Sequence, residues 1–373
     1  MRLDRVRGLR ASTPEARVPA EAGGSVSGAP AASTRDQRSE RVPVLIVVLV
    51  VGVVALMLLS FGLGQYALSP DTVVRILVAR FVRIPVTWTA TQQAVVLVVR
   101  LPQILGALLV GAALSSSGAA YQTMLRNPLV SPEILGVAAG AGFGGSLSIL
   151  LGLSPAELQG MAFVGGLLAA VLALAIGRVV GGTSPTVLVL SGIVVGTMFS
   201  ALISATQYFA NPDDTLPEIT FWLFGSLARV TNSGLVIPAV IVGVSLAALY
   251  AVRWKLTVLA TGEDEARSLG VNRAVVWAVV IGASTLMTAT VVSIAGAVGW
   301  VGLVVPHLAR SLVGPSFGPL LTVSSVIGAG FLLAVDDVSR GTTTVELPLG
   351  ILTALIGAPF FVGLLVKAGR QWL

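Results

Sequence analysis

Cysteine is absent from the 373-residue chain, which holds a single histidine, His307, and two lysines, Lys255 and Lys367. The first absence removes disulfides and thiolate metal sites. One histidine cannot supply the paired imidazoles of an intramembrane zinc protease. A rhomboid-type serine protease needs a serine nucleophile with a histidine base, and no Gly-x-Ser-Gly string occurs. A P-loop needs Gly-Lys, but the lysines follow Trp254 and Val366, so the chain has no ATP site of that kind. Charge is scarce too, with Asp, Glu, Lys and Arg making up 11%. The acidic residues fall in loops, away from the mid-span positions where ion-coupled carriers keep an ionisable group. Asp336 and Asp337 come nearest, and they are expected as solvated charges at the outer end of a span. His307, beside Pro306 at an expected helix break, is assigned a local hydrogen-bonding role rather than contact with substrate.

What is abundant is apolar surface. Apolar residues make up 55% of the chain, and the mean hydropathy is +0.93, far beyond a soluble domain. Apolar runs long enough to cross a hydrocarbon core of about 30 Å recur at 44–66, 100–121, 134–151, 158–177, 187–209, 234–252, 274–297, 298–313, 320–335 and 347–366. The short alternating segments of a membrane β-barrel are missing, which leaves helix as the spanning structure. The expected fold is an all-α, polytopic membrane protein of about ten transmembrane helices. The eighth and ninth runs are short and are expected to be tilted, broken or re-entrant. The first is too long for the apolar core of a cleavable signal peptide. Residues 1–41, rich in Ala, Gly, Pro, Ser and Arg, read as a disordered basic tail, and residues 42–373 as the membrane domain.

Ten crossings place both termini on one side. The tail's eight arginines, together with Arg126, Arg178, Arg253, Lys255, Arg267, Arg273, Arg310, Lys367 and Arg370, fall on that side. Only Arg75, Arg80, Arg83, Arg100, Arg229 and Arg340 fall on the other, so both termini are expected to be cytoplasmic. The net charge of +6 then reflects topology and contact with anionic lipid, and gives no reason to invoke nucleic acid. Gly140-Ala-Gly142-Phe-Gly144-Gly145 formally matches a dinucleotide fingerprint, but it lies in an apolar helix with no preceding strand. The row Gly136, Gly140, Gly144 instead suits close helix approach.

The loop between the sixth and seventh runs reads Gly262-Glu-Asp-Glu-Ala-Arg-Ser-Leu-Gly270. Glu263 to Leu269 make about two helical turns, with acids in the first turn and a glycine able to take the left-handed stop. Taken alone, the string also fits an ordinary polar connection.

Other strings accompany it: Arg100-Leu-Pro102; Gly111-Ala-Ala with Arg126-Asn-Pro-Leu129 and Pro132-Glu-Ile-Leu-Gly136; Gly299-Trp-Val-Gly-Leu-Val-Val-Pro-His-Leu-Ala-Arg310; Glu346-Leu-Pro-Leu-Gly350; and Thr353-Ala-Leu-Ile-Gly-Ala-Pro-Phe360. With these the sequence, from about Gln65 onward, resembles the FecCD-type permeases of ABC importers for iron-siderophore, haem and cobalamin.

The resemblance implies a BtuC-like fold of ten helices, in the bacterial plasma (inner) membrane. It implies a second permease copy or a paralogue, two cytoplasmic ATPases and an extracytoplasmic binding protein, with ATP and Mg on the ATPase and no cofactor on this chain. Residues 253–274 become the coupling loop, with Gly262, Glu263, Glu265, Ala266, Arg267, Leu269 and Gly270 as its contacts. Arg100 and Arg340 match docking positions for the binding protein, although Gln103 stands where the family often has a further arginine. Asn127, Leu129, Ser184 and Thr186 match the inner gate, and Met198, Thr206 and Gln207 the pathway lining. The implied function is import of an iron chelate, siderophore before haem, with cobalamin as the alternative. From the residues alone, an ion-coupled carrier remains a reading of another class.

Overall fold

The computed structural model describes residues 31–181, 184–342 and 346–369. The chain divides into two units at Glu40. Of the first unit only 31–40 is described, and it is helical; the rest of the expected basic tail, like Arg370, lies outside the described residues. Among the described residues there is no strand.

The helices are α1 (Ala31–Ser60), α2 (Pro70–Val78), α3 (Ala90–Ala94), α4 (Leu101–Met124), α5 (Val137–Leu150), α6 (Pro155–Val180), α7 (Pro185–Phe209), α8 (Thr215–Leu223), α9 (Asn232–Ala251), α10 (Arg253–Thr261), α11 (Glu263–Ser268), α12 (Arg273–Ala295), α13 (Val301–Val313), α14 (Phe317–Thr342) and α15 (Leu349–Gly369). A π-helical stretch, Val95–Arg100, joins α3 to α4, and a 3₁₀ turn, Pro132–Leu135, precedes α5. Seven helical segments are long and apolar enough to cross a membrane, and three shorter apolar helices accompany them, at Val137–Leu150, Val301–Val313 and Leu349–Gly363. Together these account for the ten expected crossings.

Two of the length expectations change. The ninth run is part of the 26-residue α14, a full crossing, whereas the third, α5, has only 14 residues. A polar end shortens the apparent ninth run, and a turn takes up the start of the third. The last two turns of α14 carry Asp336, Asp337 and Arg340, which burial hides, and the 134–136 part of the third run is spent on the 3₁₀ turn and on Gly136 at φ 73°. The eighth run is short as expected, but its break lies at Gly296–Trp300; α13 itself runs straight through Pro306 and His307. A proline interrupts a membrane helix little when neighbouring groups satisfy the freed carbonyl.

Lipid gives helices no hydrophobic reason to associate, so packing rests on close contact of small residues. α4 is enclosed by α9, α12, α13 and α14. A Cβ on Gly111 would fall on the Gly328 carbonyl, so α4 and α14 touch backbone to backbone. α5 and α6 meet the same way, Gly140 against Gly165 and Gly144 against Met161. The glycine row thus packs helices, with Gly136 serving as the left-handed cap where α5 begins.

The bundle has two distinct ends. One carries α10, α11 and the α4–α5 loop, and is called the coupling face below. At the other, Ser226 donates to the Ala295 carbonyl at 2.9 Å, and Leu349 and Gly350 donate to the Gly225 and Phe224 carbonyls, each at 2.9 Å. Three connections are stitched together there without any regular sheet.

Candidate functional site

On the coupling face, α11 is a six-residue helix with Glu263, Asp264 and Glu265 in its first turn. Its end is a Schellman motif. Gly270 at φ 71° donates to the Arg267 carbonyl at 3.0 Å, and Val271 donates to the Ala266 carbonyl at 2.9 Å. Ala266 and Val271 are both buried beneath it, which provides the apolar contact typical of that motif. A Cβ on Gly270 would meet nothing within 4 Å, so only its backbone conformation asks for glycine.

The seven expected coupling residues therefore separate by role, with Gly262 the half-buried N-cap of α11. Glu265, Arg267, Leu269 and Gly270 are exposed, whereas Ala266 faces the protomer and cannot touch a docked partner. Glu263 is paired to Arg273 at 2.9 Å, and the Arg273 guanidinium lies 4.5 Å over the Trp277 ring, which clamps the start of α11 to the start of α12. A cleft of ≈ 270 Å³ opens between them, lined by Leu259, Glu263, Arg267, Val271, Asn272, Arg273 and Ala274.

Beside it runs the expected gate loop. Asn127 accepts from the Leu129 N–H at 2.9 Å, forming an Asx turn, and both side chains are exposed. The loop is held from beneath by buried Gln122, whose amide donates to the carbonyls of Val130 (3.3 Å) and Leu303 (3.2 Å). Arg126 at φ 51° takes the left-handed position at the end of α4. Its N–H points to Thr123, and that of Asn127 bonds Gln122 at 3.1 Å, the same arrangement that ends α11. A non-glycine residue there costs about 1–2 kcal/mol. The Arg126 guanidinium donates to the Leu259 carbonyl. Glu133 follows the gate loop, half-buried, and burial pushes its carboxyl up to about 7.

Ser184 and Thr186 are exposed at the start of α7. Met198 is exposed and Gln207 half-buried, but Thr206 is turned into the protomer and spends its hydroxyl on the Leu202 carbonyl at 2.8 Å. The open face of α7 instead presents Thr197, Ser200 and Ser204, each bonded back to a carbonyl four residues earlier. Their spacing of three and four residues from Thr186 through Leu190 and Ile193 was readable in the sequence as a helix face.

At the opposite end, Asp336 and Asp337 are not solvated. Both are buried, with Arg340 Nε 2.7 Å from Asp336 and Arg340 Nη2 2.5 Å from Asp337. Ser60 of α1 joins them, donating to Asp337 at 2.5 Å and accepting from Arg340 at 2.8 Å. Arg100 is also buried, and donates to the carbonyls of Phe61 and, at 2.5 Å, Tyr66. Neither expected docking arginine offers a free guanidinium in this protomer. Apolar surroundings make such charges expensive unless paired, which is why the carboxylates fold inward onto Arg340. Gln103 donates to Glu346 at 3.1 Å, tying α4 to the connection before α15. Among the described residues no group of three or more His, Asp or Glu side chains is placed to hold a metal ion.

Comparison with known proteins decides the family. The model of the FecCD transport family matches residues 43–367. The chain belongs to the FecCD transport family. The permease is 39% identical over 312 residues to the molybdate import system permease protein MolB of Haemophilus influenzae, covering 84% of this chain and 92% of that one. It is 40% identical over 278 residues to the cobalamin import system permease protein BtuC of Halobacterium salinarum, covering 74% of each. It is 34% identical over 342 residues to the Fe(3+)-citrate import system permease protein YfmE of Bacillus subtilis, covering 90% and 98%. A solved inward-facing structure assigned to the metal-chelate type of ABC transporter superposes with a TM-score of 0.76 at 38% identity, covering 87% of this chain and 99% of that one. The permease is thus a multi-pass membrane subunit of an ABC importer of the FecCD type, and its relatives are permease subunits.

Proposed function

We propose that the permease carries an intact iron chelate across the plasma membrane, with hydrolysis of ATP, bound with Mg on a separate ATPase, driving it through the coupling face. The observation that carries this reading is the capped, acid-fronted α11, mounted beside the gate loop Asn127–Leu129 on the same face. The coupling face is then cytoplasmic, and two copies, or one copy and a paralogue, enclose a pathway along the open face of α7. That face offers Thr186, Thr197, Ser200 and Ser204 among apolar residues and no charge. The last three hydroxyls, already bonded to their own helix, make weak, undemanding contacts, which suits a bulky ligand that must leave inward.

For the binding protein, exposure favours Arg80, Arg83 and Arg229 on the opposite end over the buried Arg100 and Arg340. Arg229 already holds Glu218 at 2.6 Å, so a competing carboxylate has a preformed position there. A second reading, a small oxyanion such as molybdate, is favoured by the relative covered over 92% of its length.

The test is uptake into proteoliposomes that hold the permease with its ATPase and binding protein, with and without internal ATP, offering ferric siderophore, haem, cobalamin and molybdate. ATP-dependent accumulation of a ferric chelate is expected. ATP-dependent uptake of molybdate alone replaces the chelate with the oxyanion, and uptake driven by an ion gradient without the ATPase overturns the reading altogether.

A further inference from the structure

We infer that Arg126 is the positioning residue that ties the gate loop to the coupling segment, through the hydrogen bond from its guanidinium to the Leu259 carbonyl. The inference rests on the proposed function, because it assigns a part within that cycle.

Three independent features meet at this residue. Its backbone is left-handed at φ 51°, in the place where α11 uses glycine, so the position would be relaxed by glycine and is nevertheless occupied by a long cation. Strain of this kind persists where a side chain does something the relaxed residue cannot. Leu259 sits in the last turn of α10, and the carbonyls of a final turn lack a helical partner. A guanidinium supplies both the donor and the favourable charge for that end of the helix dipole. Third, the two ends of the bond are short tethers. Arg126 is next to Asn127, and Leu259 is separated from Glu263 of α11 only by the end of α10 and Gly262. A displacement of α11 thus reaches the gate loop through one side chain.

The rest of the gate loop is anchored elsewhere. Gln122 fixes Val130 to α13, and Arg310 donates to Thr123 at 3.2 Å. Both hold the loop to membrane helices, whereas Arg126 alone among these contacts reaches α10.

The experiment uses the complete complex of permease, ATPase and binding protein, and reads substrate imported per ATP hydrolysed. Arg126→Gly relieves the backbone while deleting the tether, so the complex is expected to assemble and hydrolyse ATP, with import per ATP lowered at least tenfold. Arg126→Lys, which keeps a donor of shorter reach, is expected to recover part of that ratio. An unchanged ratio in Arg126→Gly overturns the inference, while absence of ATP-driven import by the unaltered complex overturns the functional reading instead.

Should Arg126→Gly fail to assemble, a distance measurement decides. The chain has no cysteine, so Leu129→Cys and Lys255→Cys, both at exposed positions, give two unique spin-label sites on the gate loop and α10. One narrow separation through the ATP cycle is expected with Arg126 present, and a broadened separation with Arg126→Gln. A separation that varies with nucleotide while Arg126 is present overturns the tether.

Discussion

The α11 helix and the far end of α14 use charge in opposite ways. On the coupling face, Asp264, Glu265 and Arg267 stand exposed on a short helix whose own stability comes from Ala266, Val271 and a glycine cap. At the other end, Asp336, Asp337 and Arg340 are buried and paired with one another and with Ser60 of α1. A charge left exposed remains available to a partner, whereas one buried in apolar surroundings is committed to the fold. The same residue types thus stand open on α11 and form an internal fastening at the end of α14.

The contrast breaks most visibly at Arg340. Arg340→Ala leaves two buried carboxylates without their cation, an expected loss of about 3–5 kcal/mol, read as a lower thermal midpoint of the purified permease in detergent. Neutralising the group as a whole, with Arg340→Met, Asp336→Asn and Asp337→Asn together, is expected to restore much of it. A small effect of the single change would mean that the arginine is free after all. Gly270→Val comes next, since a β-branched residue at φ 71° costs about 1–2 kcal/mol and distorts the cap. ATP hydrolysis is expected to persist while import falls, and Gly270→Asn, which tolerates the left-handed region, is expected to behave nearly as the parent.

Glu133 sharpens the comparison through pH, because it is a half-buried acid on the exposed-charge face. Its carboxyl, raised from 4.5 to about 7, favours the protonated form when folded. Below pH 4.5 folded and unfolded chains are both protonated and nothing is lost. As pH rises from there through about 7, the folded state must bear a charge it disfavours, so stability falls across that window and stays lowered above it. Thermal midpoints measured between pH 5 and 8 should decline in the parent more than in Glu133→Gln; equal slopes would place the titration elsewhere. The smallest effect is expected from Arg273→Ala, whose ion pair with Glu263 is partly exposed and worth about 0.5 kcal/mol. Its removal should leave the thermal midpoint almost unmoved.

Much of this was legible in the residues. The α11 helix, its acidic first turn and its glycine stop follow from local rules, and the structure reproduces all three. The Asn127–Leu129 turn is equally local. The burial of Arg340 and its two aspartates was not legible, because three and four residues of spacing shows that they share a helix face but not whether that face meets water. The burial of Thr206 and Ala266 is hidden from the sequence for the same reason. Arg126 entered only as part of a string and as one of the basic residues that set the topology, since nothing near it in sequence reveals that Leu259 lies within reach.

The sequence by itself determined a helical, membrane-spanning chain and the local caps and turns, because hydropathy and helix termination depend on neighbours a few residues apart. Tertiary structure decided which polar groups are buried, which are offered outward and which distant carbonyl a guanidinium completes. Those outcomes depend on contacts between residues more than a hundred positions apart, such as Ser60 with Asp337 and Arg126 with Leu259, and no local pattern encodes them.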